Sequence, residues 1–175
     1  EFGYRYFTNE GYVPVGFDHF ALPQDPLALA AGQGTLGRNF QGFTDDPSGT
    51  VIGLGSSAIS AFPELLAQNE KNSGRYRMIS SQGQLSANHG KKRSPEDRLR
   101  GEVIQALLCK NQATLTPCLL HTSVAGLRPF LDRGLASLNG LNLAITVAGL
   151  PYARAIAAQF DPYRAKTQRQ FSSAI

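Results

Sequence analysis

The sequence predicts a mixed α/β chain: short strands with one helix over residues 1–70, then a mostly helical, winged-helix-like domain over residues 94–175. Three observations carry that reading. The first seventy residues alternate brief apolar runs, Val13–Phe17 and Val51-Ile52, with Gly and Pro punctuation. Residues 94–110 carry a capping pattern followed by apolar residues at helical spacing. Asn139-Gly140 separates two short apolar runs, as a hairpin turn does. Charge divides the chain in the same place. Residues 1–70 hold two basic and eight acidic residues, while residues 71–175 hold fifteen basic and five acidic, so a net charge of +4 hides −6 and +10. Such asymmetry indicates two structural units, the second suited to an anionic partner.

The elements follow in order. Val13-Pro14-Val15-Gly16-Phe17 reads as a strand with Pro14 near its start or at an edge, and Asp18-His19 sits at its end. Asp25 as N-cap, Pro26 at N1 and Gly32 near the C-terminus delimit a short helix. Asp46-Pro47-Ser48-Gly49 is a turn, Val51-Ile52 the next strand, and a short helix is expected after Ala58. Residues 71–93, polar and glycine-punctuated, read as a linker. Ser94, Pro95 and Asp97 then open a helix whose Leu99, Val103, Ile104, Leu107 and Leu108 share one face. Thr116-Pro117 opens a second helix, Ser123 a third, and a last helix spans about residues 149–165, with Tyr152, Ile156 and Phe160 at spacing four.

Gly53-x-Gly55-x-x-Ala58 has the spacing of a dinucleotide-binding loop. That fingerprint requires a βαβ unit with an acidic residue closing a second strand, and no such strand is legible downstream. The glycines instead remove side chains where a ligand or a neighbouring backbone comes close, with Ile59 as an apolar wall. Phe40-Gln41 before Gly42 places an aromatic ring beside an amide in a loop. Asp18 and His19 are the candidate catalytic pair, weighed against a strand end tied down by hydrogen bonds. His19, His89 and His121 lie far apart and make no metal motif, so no metal site is expected in this chain. Cys109 and Cys118 are read as free, buried thiols.

No apolar run approaches the roughly 18–20 residues of a membrane span, and the start lacks a signal-peptide pattern, so the expected setting is cytoplasmic with no membrane partner. A basic winged helix raises nucleic-acid binding. The expected recognition helix, about Ser123–Arg133, offers only Arg128 and Arg133 as base-reading cations and is interrupted by Pro129.

Taken together, "GYVPVGFDHFALPQDPLALA", "RNFQGFTDD", "GLGSSAIS", "RLRGEVIQALLC" and "FDPYR…QRQFSSAI" resemble, in order, the C-terminal part of oxygen-independent coproporphyrinogen III oxidase, a radical S-adenosylmethionine family. The resemblance implies that residues 1–70 are the terminal strands of a partial (β/α) barrel, covered by the winged-helix-like domain. It implies oxidative decarboxylation of two propionates of coproporphyrinogen III, an anionic tetrapyrrole, to vinyl groups. The cofactors implied are S-adenosylmethionine and a [4Fe–4S] cluster; cleavage of the former yields a radical that abstracts a propionate hydrogen. Carried over from the family's "NFQG" and "SAIS" motifs, Phe40, Gln41 and Ile59 contact S-adenosylmethionine, with Gly53, Gly55 and Ala58 as secondary positions.

The family's C-x3-C-x2-C cluster motif is missing from this chain, and Cys109 and Cys118 have the wrong number and spacing to replace it. The expected partner is therefore an upstream barrel half of the same polypeptide, and this segment alone is not expected to be catalytic. Gly37 stands where the family has His, and Phe43 where it has Tyr. Two alternatives remain open: a radical-SAM relative that binds haem or another tetrapyrrole without oxidase activity, and a stand-alone winged-helix nucleic-acid-binding protein.

Overall fold

The computed structural model describes residues 2–164 and divides them into two compact units. One comprises the residues up to Asp45 together with those from Arg100 onward; the other is Asp46–Leu99. The fold is mixed α/β, and every strand pair among the described residues is antiparallel.

In the first unit, α1 (Phe2–Asn9) leads into the hairpin β1 (Val13–Val15) and β2 (His19–Ala21), with Val15 opposite His19. The expected single strand through Phe17 ends at Val15 because Gly16 turns at φ +61°. Phe43 packs where a Cβ on Gly16 would be, so both conformation and space require glycine there. Helix α2 (Pro26–Gln33) starts where the sequence marks it: Leu27 N–H donates to Asp25 Oδ1 at 2.8 Å. Its left-handed C-terminal residue is Gly34, not Gly32, which stays in the helix. The two-residue strands β3 (Gly37–Arg38) and β4 (Phe43–Thr44) pair around the 39–42 loop.

The rest of this unit is α4 (Pro95–Lys110, its C-terminal part), β8 (Gln112–Thr114), α5 (Pro117–Asp132), β9 (Ala136–Asn139) and β10 (Asn142–Ile145), the strands ordered β8-β10-β9. The order is helix–strand–helix–hairpin, where the sequence predicts three helices before a two-stranded wing. The two helices expected from Thr116 and Ser123 are one. Thr116 caps it, accepting from Leu119 N–H at 3.2 Å, and Leu119, Ser123 and Leu127 form a buried stripe at spacing four. Pro129 falls in the last turn, where it forgoes the N–H bond to the carbonyl four residues back. In the wing, Asn139 pairs with Asn142, so Gly140-Leu141 form the turn. Only Gly140 has positive φ, which fits a type II′ turn rather than the I′ turn suggested by Asn-Gly. The last helix is broken into 3-10 turns, Val147–Tyr152 and Ala158–Phe160, around α6 (Ala153–Ala157), with Pro151 in the first. Its expected end at residue 165, and the "QRQFSSAI" motif, lie outside the described residues.

Leu107, Leu127, Leu143, Ile156 and Phe160 are fully buried in the main core. A smaller core joins Val15, Ala28, Ala30, Leu36 and Cys109. Leu99, expected on the buried face, is half exposed.

The second unit holds β5 (Ile59–Ala61), β6 (Leu65–Asn69), α3 (Ser73–Ser81) and β7 (Ala87–Lys92), in one sheet ordered β5-β6-β7. The helix expected after Ala58 is this β5-β6 hairpin, since Ile59-Ser60-Ala61 pairs with Leu66-Ala67-Gln68. The segment read as a linker carries α3 and β7. Lys91 and Lys92 lie on the exposed edge strand β7, a placement that discourages further strand pairing.

Candidate functional site

Three groups of sequence-predicted residues can be followed. The first centres on Asp18 and His19, at the start of β2 where the Gly16 turn delivers them. Asp18 Oδ1 lies 2.6 Å from His19 Nδ1, and Asp18 Oδ2 accepts from Arg154 Nη2 at 3.2 Å. The Arg154 guanidinium carbon sits 5.0 Å from the centroid of the Phe17 ring. Phe43 stands edge-on to both neighbours, its ring 5.1 Å from His19 and 5.7 Å from Phe17. One carboxylate thus holds an imidazole and a guanidinium beside two aromatic rings. The side chains of His19 and Arg154 are 55 % and 65 % exposed. Arg154 lies 136 residues from Asp18 and carries no local sequence signal; only folding brings it here.

The second group is the 39–42 loop. Asn39 Oδ1 accepts from Gln41 N–H at 2.8 Å and from Gly42 N–H at 3.3 Å, and Asn39 N–H donates to Gly42 O at 2.9 Å. These bonds close the loop on itself, and Phe40 is left 55 % exposed. Gln41 is also exposed.

The third group is the glycine loop of the other unit. Gly53 N–H donates to Ser60 Oγ at 3.0 Å and Gly55 N–H to Tyr76 OH at 3.1 Å. Asn69 Nδ2 donates to both Gly53 O and Gly55 O, at 3.1 and 3.0 Å. The two glycine amides that would face a pyrophosphate are therefore already spent, and a sheet rather than a helix follows; this is no dinucleotide loop. Gly53 is required because a Cβ would meet the Ile59 backbone at 2.7–2.9 Å. Its near neighbour is thus backbone, one of the two explanations the sequence left open. Ala58 O accepts from Asn69 N–H at 2.9 Å, which ties the loop to the β6 end just before Ile59.

Glu70, placed by its sequence neighbours in a polar loop, is buried and holds this unit together. Its carboxylate accepts from Asn72 N–H and Asn88 Nδ2, both at 2.9 Å, and Arg75 Nε lies 3.9 Å away. The Asn72 amide holds its pKa below the usual carboxylate range, with Arg75, Lys71 N–H and Asn88 assisting and burial opposing. Of the two thiols, Cys109 is buried as expected but Cys118 is exposed, because it opens α5 on the side away from the Leu119 stripe. Burial pushes the Cys109 thiol up, partly offset by Arg38 and Lys110. Among the described residues no three His, Cys, Asp or Glu side chains group to hold a metal ion. No helix there is long and apolar enough to cross a membrane.

No protein-family model matches the chain. It is 40 % identical over 169 residues to "Oxygen-independent coproporphyrinogen III oxidase" of Cereibacter sphaeroides, covering 92 % of this chain and 38 % of that protein. The protein of the same name from Pseudomonas aeruginosa is 37 % identical over 175 residues, 94 % of this chain and 38 % of its own length. Among solved structures, coproporphyrinogen III oxidase (HemN) from Escherichia coli, titled a radical SAM enzyme, matches with TM-score 0.84 and 31 % identity over 92 % of this chain and 39 % of that one. The chain is homologous to the C-terminal part of oxygen-independent coproporphyrinogen III oxidase. It spans about 38 % of the length of the Cereibacter and Pseudomonas oxidases. At this identity and TM-score, the hairpins and the helix–strand–helix–hairpin order described above are the oxidase fold over that span.

Proposed function

We propose that this chain is the C-terminal portion of an oxygen-independent coproporphyrinogen III oxidase acting in the cytoplasm. The whole protein would convert two propionates of coproporphyrinogen III to vinyl groups by oxidative decarboxylation, giving protoporphyrinogen IX. The observation that carries the reading is 31–40 % identity over more than nine-tenths of the chain to proteins of that name, joined to a matching fold.

The residues here fit part of the cofactor set. In one unit, an exposed Phe40 ring beside the Gln41 amide suits a nucleoside; in the other, the occupied Gly53 and Gly55 amides leave no phosphate cradle before the apolar Ile59. We assign Phe40, Gln41 and Ile59 to S-adenosylmethionine, with Gly53, Gly55 and Ala58 shaping the loop before Ile59. The described residues do not fit an iron–sulfur cluster, so its ligands would come from the preceding half of the polypeptide. When bound, the cofactor pair supplies the radical chemistry. This chain's part is to contact the nucleoside with Phe40 and Ile59, to orient it through Gln41, and to bind the tetrapyrrole.

The test is anaerobic assay of the full-length protein with reconstituted cluster, following protoporphyrin fluorescence. Turnover, with Phe40→Ala and Gln41→Ala raising KM for S-adenosylmethionine about tenfold, supports the assignment; each change removes about 1–2 kcal/mol of contact. Haem binding without vinyl formation would select the haem-handling relative instead. Nucleic-acid binding has less in its favour: Arg128 on α5 is paired with Asp132 at 3.2 Å.

A further inference from the structure

The geometry points to Arg154 as a positioning residue that fixes His19, through Asp18, as a hydrogen-bond acceptor for a ring N–H of the tetrapyrrole substrate. The inference rests on the proposed oxidase reading for the identity of the ligand, but not for the geometry.

Asp18 uses one oxygen for each partner: Oδ1 faces His19 Nδ1 at 2.6 Å, and Oδ2 receives Arg154 Nη2 at 3.2 Å. Without Arg154, the carboxylate is free to rotate about its terminal torsion and release the ring. With it, the neutral imidazole carries its proton on Nδ1, toward the carboxylate, and Nε2 is left with a lone pair. The His19 side chain is 55 % exposed, which leaves room for a ligand donor to approach the ring. The surroundings suit a large, mostly apolar ring system. Phe43 stands edge-on to His19, and Phe17 lies under the Arg154 guanidinium. A porphyrinogen presents pyrrole N–H donors on an apolar macrocycle, which matches one acceptor flanked by two aromatic rings. Phe43 strengthens the case, because Gly16 is denied any side chain so that this ring can occupy its place.

The bland reading is an exposed ion pair of little consequence, and such pairs contribute little to stability. The two readings separate in the full-length protein. Arg154→Gln is expected to raise KM for coproporphyrinogen III about tenfold. It should leave kcat, KM for S-adenosylmethionine and the thermal midpoint unchanged within error, since it removes binding rather than chemistry. Arg154→Lys, which keeps the charge on Asp18, should recover most of the loss. Selective 15N labelling of histidine, with His19 assigned by His19→Gln, should show the Nδ1–H tautomer in alkaline buffer, and a mixture of tautomers in Arg154→Gln. An unchanged tautomer, an unchanged KM, or a KM for S-adenosylmethionine that rises in step would each overturn the inference. If the unmodified full-length protein turns over no coproporphyrinogen, the oxidase reading fails by itself. The tautomer measurement still decides the positioning in that event: a shift upholds it and no shift removes it.

Discussion

Glu70 shows what one buried carboxylate does in a small unit. It joins the end of β6 to the first residues before α3 and, through Asn88, to β7. Because its folded pKa is lowered from 4.5, it contributes stability that is fully present above that value and is lost as pH falls through the lowered one. Glu70→Gln should therefore be less stable than the parent at pH 7, and the difference should shrink on acidification below 4.5. Thermal midpoints measured from pH 7 to pH 2.5 check this; a constant offset across that range would mean the carboxylate charge is irrelevant. Gly53 makes a different point at the same level. Its place in a Gly-x-Gly pattern suggests a ligand, but the atoms that exclude a Cβ are the Ile59 backbone.

Helix α4 is the element whose local signals and final structure agree best. Ser94 Oγ accepts from Asp97 N–H at 3.0 Å, while Asp97 Oδ2 accepts from Ser94 N–H and Ser94 Oγ, both at 2.9 Å. This is a reciprocal cap built from residues three apart, so it needs no tertiary partner. Ser94→Ala should cost about 1 kcal/mol, read as a lower urea midpoint at unchanged slope. No change would mean that Asp97 caps the helix without Ser94. Helix α5 shows the opposite. Its second half was legible as a separate helix because Ser123 resembles a cap, yet Ser123 lies in the buried stripe between Leu119 and Leu127. Burial outweighed the local preference. The strands were the least legible elements: β3 and β4 have two residues each, too few to show a period of two, while the longer β6 and β7 show no alternation of buried and exposed positions.

The thiols report on the whole molecule, because Cys109 sits in the smaller core with Val15, Ala28, Ala30 and Leu36 while Cys118 faces solvent. One thiol should react with a disulfide reagent in the native protein and two in denaturant, since burial both blocks Cys109 and holds it protonated. Two fast thiols in buffer would show that this core opens readily. By itself the sequence determined the mixed α/β class, the caps at Asp25, Ser94 and Thr116, and the wing around Gly140. It also determined the Phe40-Gln41, Gly53 and Ile59 motifs that carry the family likeness. These depend on residues within a few positions of one another, where conformational preference and hydrogen-bond reach are set by the chain. Only the tertiary structure decided that Arg154 meets Asp18, that Glu70 is buried, that Phe43 fills the space above Gly16, and that the glycine amides are already used. Each of those is a contact between distant segments, and its partner is chosen by packing, which no local pattern encodes.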